Sequence, residues 1–189
     1  SAGNRGHFAR RPVGMSFVFV QADLDTHREV LTRFNTEYID WIDASVREHF
    51  RLALPDLLGM SIQHYAKGAL DEECEGNPPD SVFYVVCDGE NPMGMGGLRK
   101  VGKGVAEVKR IYVSPASRGG GTGAKILDRL VSDARVFGYQ ELLLETGPFM
   151  TSAHRIYEAA GFEDTQPFAE AEVPEELGHD WRFMSCKLS

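Results

Sequence analysis

The sequence predicts a mixed α/β fold in which helices pack on a central sheet. Runs rich in β-branched and aromatic residues, typical of strands, alternate along the chain with helices that have one apolar face. Three predicted strands between residues 81 and 113 are joined by short turns, which favours an antiparallel meander. A single strand–helix–strand unit then spans residues 105–146 and requires a parallel, right-handed crossover. We therefore expect a sheet of about six to seven strands with helices on both faces.

Before the meander, the chain is expected to form one strand, several helices and a loop. Phe17–Val20 is a short run of strand formers. Residues 26–29 fit a capping box and predict the start of a helix that continues, with a break, through residues 46–52. After a proline that interrupts this pattern, a further short helix is expected over residues 56–65. The acidic, proline-containing stretch 67–80 predicts an exposed loop.

The remaining elements follow from the same two periodicities. The predicted strands are Ser81–Cys87, Met93–Val101, Val105–Val113, Glu141–Thr146 and Trp181–Leu188, and the predicted helices cover the stretch after the glycine-rich loop and Thr151–Ala160. Glycines at positions 138 and 161 stand where a helix C-terminus is expected.

Composition limits the class of protein. The 189 residues most simply form one domain, which we place at residues 16–189 after a flexible N-terminal tail of residues 1–15. The formal net charge of -8 argues against a nucleic-acid binder with a broad basic face, and no apolar run is long enough to span a membrane. Cys74, Cys87 and Cys186 have no metal-site spacing and are odd in number, so we expect no metal and a reducing, cytoplasmic location.

The stretch from Val108 to Phe137 carries the clearest functional signal. An apolar strand is followed by a glycine-rich loop that opens directly into an amphipathic helix. The first N–H groups of a helix have no partner within it, and the helix dipole favours negative charge there. Glycines have no Cβ, so an anion can approach the backbone closely, and Arg118 adds a cation beside the loop. The stretch therefore predicts a site for a phosphate-containing compound.

Two common phosphate motifs describe this loop poorly. A nucleotide P-loop needs Gly-Lys followed by Ser or Thr, whereas here Ala124 separates Gly123 from Lys125. The dinucleotide pattern G-x-G-x-x-A does fit Gly119, Gly121 and Ala124. That pattern normally lies at the very end of the first strand of repeated βαβ units, and here a loop intervenes and only one such unit is present. An NAD-type ligand stays open as an alternative.

A third interpretation comes from a resemblance to a known family. Residues 118–124 resemble the Arg/Gln-x-x-Gly-x-Gly/Ala motif of the GNAT acetyltransferase superfamily, and residues 113–115 resemble the exit of its fourth strand. Residues 153–162 resemble the A-x-x-x-Y-x-x-x-G-F helix that follows its fifth strand. Met150 departs from the family pattern, because many members have an Asn there. The resemblance implies a GNAT-like fold and acetyl-coenzyme A as the co-substrate.

The resemblance also implies the roles of individual residues. In that family the loop holds the pyrophosphate, and the pantetheine arm pairs with the end of the fourth strand. The residues thereby assigned to the coenzyme are Ile111, Tyr112, Val113, Arg118, Gly119, Gly120, Gly121, Thr122, Gly123, Ala124 and Ala153. Glu107 is the candidate general base, and Tyr157 is the candidate general acid that protonates the leaving thiolate. The implied reaction is direct attack of a primary amine on the thioester in a ternary complex.

The acceptor is less well defined by the sequence. In the family it lies between the first helices and the C-terminal loops, here residues 38–43 and the acidic segment 163–180. Aromatic and carboxylate side chains could hold a cationic small molecule there, although core packing and a solvated loop explain the same residues. The candidate side chains are Tyr38, Asp40, Trp41 and Asp43. A small amine, an amino acid, an aminoglycoside or a protein amine all stay open, as do a homodimer and a non-catalytic acyl-coenzyme A-binding module.

Overall fold

The computed structural model describes residues 16–189 and arranges seven strands in one sheet, in the order β1-β2-β3-β4-β5-β7-β6. The strands are β1 Phe17–Gln21, β2 Val82–Asp88, β3 Asn91–Gly102, β4 Val105–Val113, β5 Glu141–Thr146, β6 Glu163–Asp164 and β7 Arg182–Lys187. The helices are α1 Leu24–Phe50, α2 Leu54–Leu58, α3 Ile62–Glu73, α4 Thr122–Val136 and α5 Thr151–Ala159. The predicted N-terminal tail, residues 1–15, lies outside the described residues.

The topology confirms the predicted mixed sheet. Strands β1 to β4 pair antiparallel in chain order, and β7 pairs antiparallel with both β5 and β6. Strands β4 and β5, joined through α4, pair parallel. Their pairing ends at Glu107 opposite Leu143, so the two strands separate beyond that point and leave one edge of β4 without a strand partner.

A β-bulge in β4 lies where the strands separate. Met95 is opposite Tyr112, but Gly97 is opposite Lys109, so β4 contains one residue more than β3 over this stretch. Arg110 has a positive φ of 53°, a conformation that non-glycine residues rarely adopt. An extra residue bends a strand and changes the direction of the side chains that follow it. The bulge thus moves the end of β4 away from β5.

Helices cover both faces of the sheet, as predicted. Helices α4 and α5 pack on one face, where Val82, Tyr84 and Val86 of β2 belong to the core. Helices α1 and α3 pack on the other face, where the alternate β2 residue Val85 is buried, and where Cys87 is a core residue as the sequence indicated. Two-sided burial explains why β2 is apolar at nearly every position.

The first half of the chain is more helical than predicted. Helix α1 begins at Leu24 and not at Thr26, because the Asp23 carboxylate accepts a bond from the N–H of Asp25 and caps the helix. It runs to Phe50 without the expected break. Helix α3 continues to Glu73 through part of the stretch predicted as a loop. Leu70, fully buried against the sheet, holds this turn in place, so packing outweighs the acidic composition.

Candidate active site

The glycine loop presents the N-terminus of α4 without a side-chain cap. Gly119 and Gly121 have φ values of 85° and 78°, which favour glycine, and a Cβ at either position would meet no atom within 4 Å. Gly121 is the N-cap residue and no side chain accepts from the first turn. The bond from the Lys125 N–H to the Gly121 carbonyl is the first of the helix. The N–H groups before Lys125 are therefore available to an anion.

A cavity of about 530 Å³, here called the glycine-loop cavity, opens beside this helix end. It brings together most of the residues that the resemblance assigned to the coenzyme. Of those, the residues that line it are Ile111, Tyr112, Val113, Arg118, Gly119, Gly121, Thr122, Gly123 and Ala153. Gly120 and Ala124 belong to the same loop and first turn but are not part of the cavity lining. Tyr38 and Trp41, predicted for the acceptor, and Met150, noted as a departure from the family pattern, also line this cavity, and the lining residues that the sequence did not predict are Phe149, Thr151, Ser152 and Ile156.

The wall opposite α5 is the unpaired edge of β4. Ile111, Tyr112 and Val113 lie beyond the last β4–β5 pair, so their backbone groups on that side face the cavity and not a strand. The Val113 carbonyl accepts a bond of 2.9 Å from Nε of Arg118. The Arg118 guanidinium also lies over the Tyr112 ring, 5.7 Å from its centre. These contacts place a cation at the mouth of the cavity, between loop and strand.

Tyr157 lines the same cavity from α5. Burial raises the pKa of its phenol, and the nearby Tyr38 raises it further. A tyrosine with a raised pKa keeps its proton at neutral pH and can act as a donor. The structure thus places Tyr157, the predicted acid, inside the glycine-loop cavity.

A second, smaller cavity of about 100 Å³, here called the charged cavity, adjoins the first. Tyr38 and Met150 line both cavities and form the junction between them. Met150 replaces the family's Asn and is 8% exposed, and its Sδ accepts from the Thr146 hydroxyl and the Gly147 N–H. The charged side chains that line the cavity are Glu107, Lys109, Arg110, Glu145 and Glu172, and its apolar lining includes Ile39, Leu54, Leu58, Leu177 and Trp181.

Glu107, the predicted base, lines the charged cavity and is fully buried. Its Oε2 accepts a bond of 2.7 Å from Arg99, and the Nζ of Lys109, its neighbour on the same face, is 3.8 Å from its Oε1. Burial raises the pKa of the Glu107 carboxyl, while Lys109 and Arg99 oppose that rise. Arg99 also binds the carboxylate of Glu172, so Glu107 belongs to a network that anchors the C-terminal segment.

Glu145 was missed as an acceptor-side residue. It lies at the end of β5, beyond the point where β4 and β5 separate, and lines the charged cavity. Its Oε2 is buried and has no hydrogen-bond partner among the described residues. Burial raises the pKa of this carboxyl from 4.5 to about 7, since the nearby cation Lys109 only partly offsets the loss of solvation. Only the fold could have revealed this environment, because nothing local in the sequence marks it.

The candidate acceptor residues of α1 separate into two groups. Tyr38 and Trp41 line the glycine-loop cavity, as contacts for a bound molecule require. Asp40 is exposed and lines neither cavity. Asp43 is buried for a structural reason, because its Oδ1 accepts from the Leu54 N–H at 2.7 Å and so caps α2. Within the acidic segment, Glu172 and the residues up to Trp181 close one side of the charged cavity.

Two features bear on metals and membranes. Among residues 16–189, no group of three His, Cys, Asp or Glu side chains is placed to hold a metal ion. No helix in that part of the chain is both long and apolar enough to cross a membrane.

Comparison with known proteins places this geometry in a family. The model of a protein family described as "Acetyltransferase (GNAT) family" matches residues 41–162. An IAA acetyltransferase of Azospirillum brasilense is 37% identical over 91 residues, 48% of this chain but only 60% of that relative. The uncharacterized N-acetyltransferase YedL of Escherichia coli is 32% identical over 122 residues, 64% of this chain and 74% of the relative.

The fold is shared with solved acetyltransferase structures. The PaiA N-acetyltransferase of Thermoplasma acidophilum, in complex with coenzyme A, matches with a TM-score of 0.70 and 17% identity over 92% of this chain and 100% of that one. A family match over residues 41–162 covers more than half of the sequence. The chain therefore belongs to the acetyltransferase (GNAT) family.

Proposed function

We propose that this protein transfers the acetyl group of acetyl-coenzyme A to the primary amine of a small molecule, by direct attack in a ternary complex. The observation that carries the proposal is the meeting of two unlike cavities at Tyr38 and Met150. One has an uncapped helix N-terminus at its end, and the other is small and contains carboxylates. A thioester and an amine held in these cavities would meet at the junction.

The glycine-loop cavity suits the coenzyme. Free N–H groups at the start of α4 and the Arg118 guanidinium match the pyrophosphate. Gly119 and Gly121 leave open space where a side chain would stand. The unpaired edge of β4 offers backbone donors and acceptors to the amide groups of a pantetheine arm. Bound there, acetyl-coenzyme A supplies an activated acyl group and a thiolate leaving group.

Tyr157 is proposed as the general acid and Glu107 as a general base. Tyr157 lines the glycine-loop cavity, where its phenol can donate a proton to the departing sulfur. Glu107 lines the cavity from which the amine would attack, and its Oε1 has no hydrogen-bond partner among the described residues. Glu107→Gln is expected to lower kcat and to change the pH–rate profile. An unchanged rate and profile would exclude the base role and leave Glu107 as an anchor for Arg99.

A non-catalytic acyl-coenzyme A-binding module on the same fold is the second candidate. The presence of Tyr157 in the glycine-loop cavity together with Glu107 in the charged cavity favours the enzyme. A cytoplasmic location, a single domain over residues 16–189 and a homodimer stay predictions.

The first test is a calorimetric titration with acetyl-coenzyme A, with NAD as a parallel ligand. We expect micromolar binding of acetyl-coenzyme A and no binding of NAD. Thiol release in the presence of a panel of amines then distinguishes an enzyme from a binding module. Preferential binding of NAD, or binding of acetyl-coenzyme A without thiol release on any amine, would overturn the proposed activity.

A further inference from the structure

Glu145 occupies a position that no other carboxylate of the charged cavity has. The last parallel pair of the sheet joins Glu107 to Leu143, and Glu145 stands two residues further along β5, where the strands have separated. Leu142 and Leu144 point into the core under α4, so the alternate residue Glu145 faces the opposite side of the sheet. Its carboxyl group therefore lines the gap between the strands from the β5 side.

Among the carboxylates of this cavity within the described residues, Glu145 is also the one that forms no ion pair. Glu107 is paired with Arg99 at 2.7 Å. Glu172 is paired with Lys109 at 3.1 Å and with Arg99 at 2.8 Å. Glu145 forms no ion pair within residues 16–189, and its Oε2 is buried without a hydrogen-bond partner. A buried carboxylate of this kind is costly unless a ligand supplies the missing partner.

We propose that Glu145 binds the ammonium group of the acceptor and accepts its first proton, and that the acceptor is a short primary amine with an apolar body. The proposal rests on the proposed acetyl transfer and names the substrate class of that site. One unpaired carboxylate matches one ammonium, since Glu107 and Glu172 already form ion pairs with Arg99 and Lys109.

The walls and the size of the cavity define the rest of the acceptor. Leu54, Leu58, Leu177 and Trp181 present apolar surface. A cavity of about 150 Å³ lined by apolar side chains holds benzene, so about 100 Å³ holds a body of roughly four carbon atoms. A second ammonium, as in a polyamine, would lie against these apolar walls without a partner. The backbone of a peptide lysine would have to remain outside the cavity.

The proposed step balances in atoms and charge. The ammonium gives one proton to a Glu145 oxygen, and the free lone pair of the amine forms a C–N bond with the thioester carbonyl carbon. Collapse of the tetrahedral adduct breaks the C–S bond, and the thiolate that leaves takes the proton of Tyr157. Glu107, the proposed general base, takes the second proton of the nitrogen, the Tyr157 phenolate regains a proton from solvent, and Glu145 and Glu107 release theirs to solvent. The products are the N-acetylated amine, coenzyme A and one proton.

Charged and titratable groups surround Glu145 on every side of the cavity. Four of them act on the pKa of Glu145 through their charge, namely Lys109, Glu107, Glu172 and Arg110. The charge of Glu145 in turn raises the pKa of Tyr38, and Tyr65 is a further titratable residue of the lining. The balance leaves the pKa of Glu145 at about 7, so the carboxylate that can accept a proton becomes the major form above neutral pH.

The test measures binding of n-butylamine to the protein loaded with coenzyme A, which cannot react, at pH 8 by calorimetry. Glu145→Gln keeps the shape of the side chain and removes the charge. We expect it to weaken butylamine binding about tenfold or more. The matched control is Glu141→Gln on the same strand, whose carboxylate pairs with Lys187 at 2.8 Å outside the cavity. This variant should bind butylamine as the unmodified protein does.

Three results would overturn the inference. The first is an equal affinity for butylamine in Glu145→Gln and in the unmodified protein. The second is tighter binding of spermidine than of butylamine, and the third is tighter binding of an N-acetylated lysine amide than of butylamine. Thiol release from acetyl-coenzyme A, measured separately, distinguishes the two proposals. Butylamine binding that depends on Glu145 but yields no thiol would refute the acetyl transfer alone. Thiol release that is indifferent to Glu145→Gln would refute the role of Glu145 alone.

Discussion

The pH dependence of stability offers a test of Glu145 that needs no substrate. Its carboxyl has a pKa of about 7 in the folded protein against 4.5 when solvated, because the group is buried. Because the folded-state pKa is above the unfolded value, the carboxyl is neutral in both states below pH 4.5 and costs no stability there. Stability falls as the pH rises from 4.5 through 7, because the unfolded chain releases this proton first. Glu145→Gln, which cannot ionise, should therefore stabilise the protein more at pH 8 than at pH 5.

The size of the effect follows from the two pKa values. At about 1.36 kcal/mol per pKa unit, the buried charge of Glu145 costs at most about 3 kcal/mol at pH 8. At pH 5 the carboxyl of the folded protein is still neutral. The carboxyl of the unfolded chain is only partly ionised, because pH 5 is just above its pKa of 4.5, so the cost is about 1 kcal/mol. The stability gained by Glu145→Gln should thus be about 2 kcal/mol larger at pH 8 than at pH 5.

Urea unfolding followed by circular dichroism at both pH values measures this difference. The Glu141→Gln variant serves as the control, because it removes a partly exposed carboxylate from the same strand and should show a change of less than about 1 kcal/mol at either pH. A gain for Glu145→Gln that is the same at pH 5 and pH 8 would refute the assignment of a buried, unpaired carboxyl. The proposal that it meets an ammonium would then lose its physical basis.

Three further substitutions test other parts of the site. Gly121→Val should raise the Kd for acetyl-coenzyme A about tenfold by filling the loop. Its control is Gly138→Val at the other end of α4, where φ is a similar 84°. Both variants should lose about 1–2 kcal/mol of stability, but Gly138→Val should leave that Kd unchanged. Tyr157→Phe should lower kcat and leave the calorimetric Kd for acetyl-coenzyme A nearly unchanged, and loss of binding with unchanged turnover per bound enzyme would contradict the acid role. Asp43→Ala should lower the free energy of unfolding in urea by about 1.5–3 kcal/mol, because it removes the hydrogen bond to the first N–H of α2. Asp40→Ala, at an exposed position, should change that free energy by no more than about 0.5 kcal/mol.

The unit that begins with β4 could be predicted from the sequence because its signals are local. The bounds predicted for the fourth and fifth strands, Val105–Val113 and Glu141–Thr146, agree with the structure. Strand propensity, the glycines and the helical period of α4 all act within a few residues of one another. The uncapped start of α4 at Gly121 follows from the same local rules, since it needs only a loop without side chains.

The helices before the meander were predicted less well because packing decides their extent. Nothing in the acidic composition of residues 67–73 indicates that Leu70 is buried against the sheet. The start of α1 depends on which of several acidic and hydroxyl residues reaches the first free N–H, and Asp23 does so. Such choices depend on contacts between distant parts of the chain, which propensities do not contain.

By itself, the sequence determined the mixed sheet with its single crossover, the glycine loop and, through the family resemblance, the placement of Tyr157 beside that loop. The tertiary structure alone decided how carboxylates of equal intrinsic acidity differ. Glu107 and Glu172 form ion pairs with Arg99 and Lys109, whereas Glu145 stands where β4 and β5 separate and forms no ion pair within the described residues. Desolvation and charge pairing act over a few ångströms in space and not along the chain, so an acidic residue acquires its role only when the strands are in place.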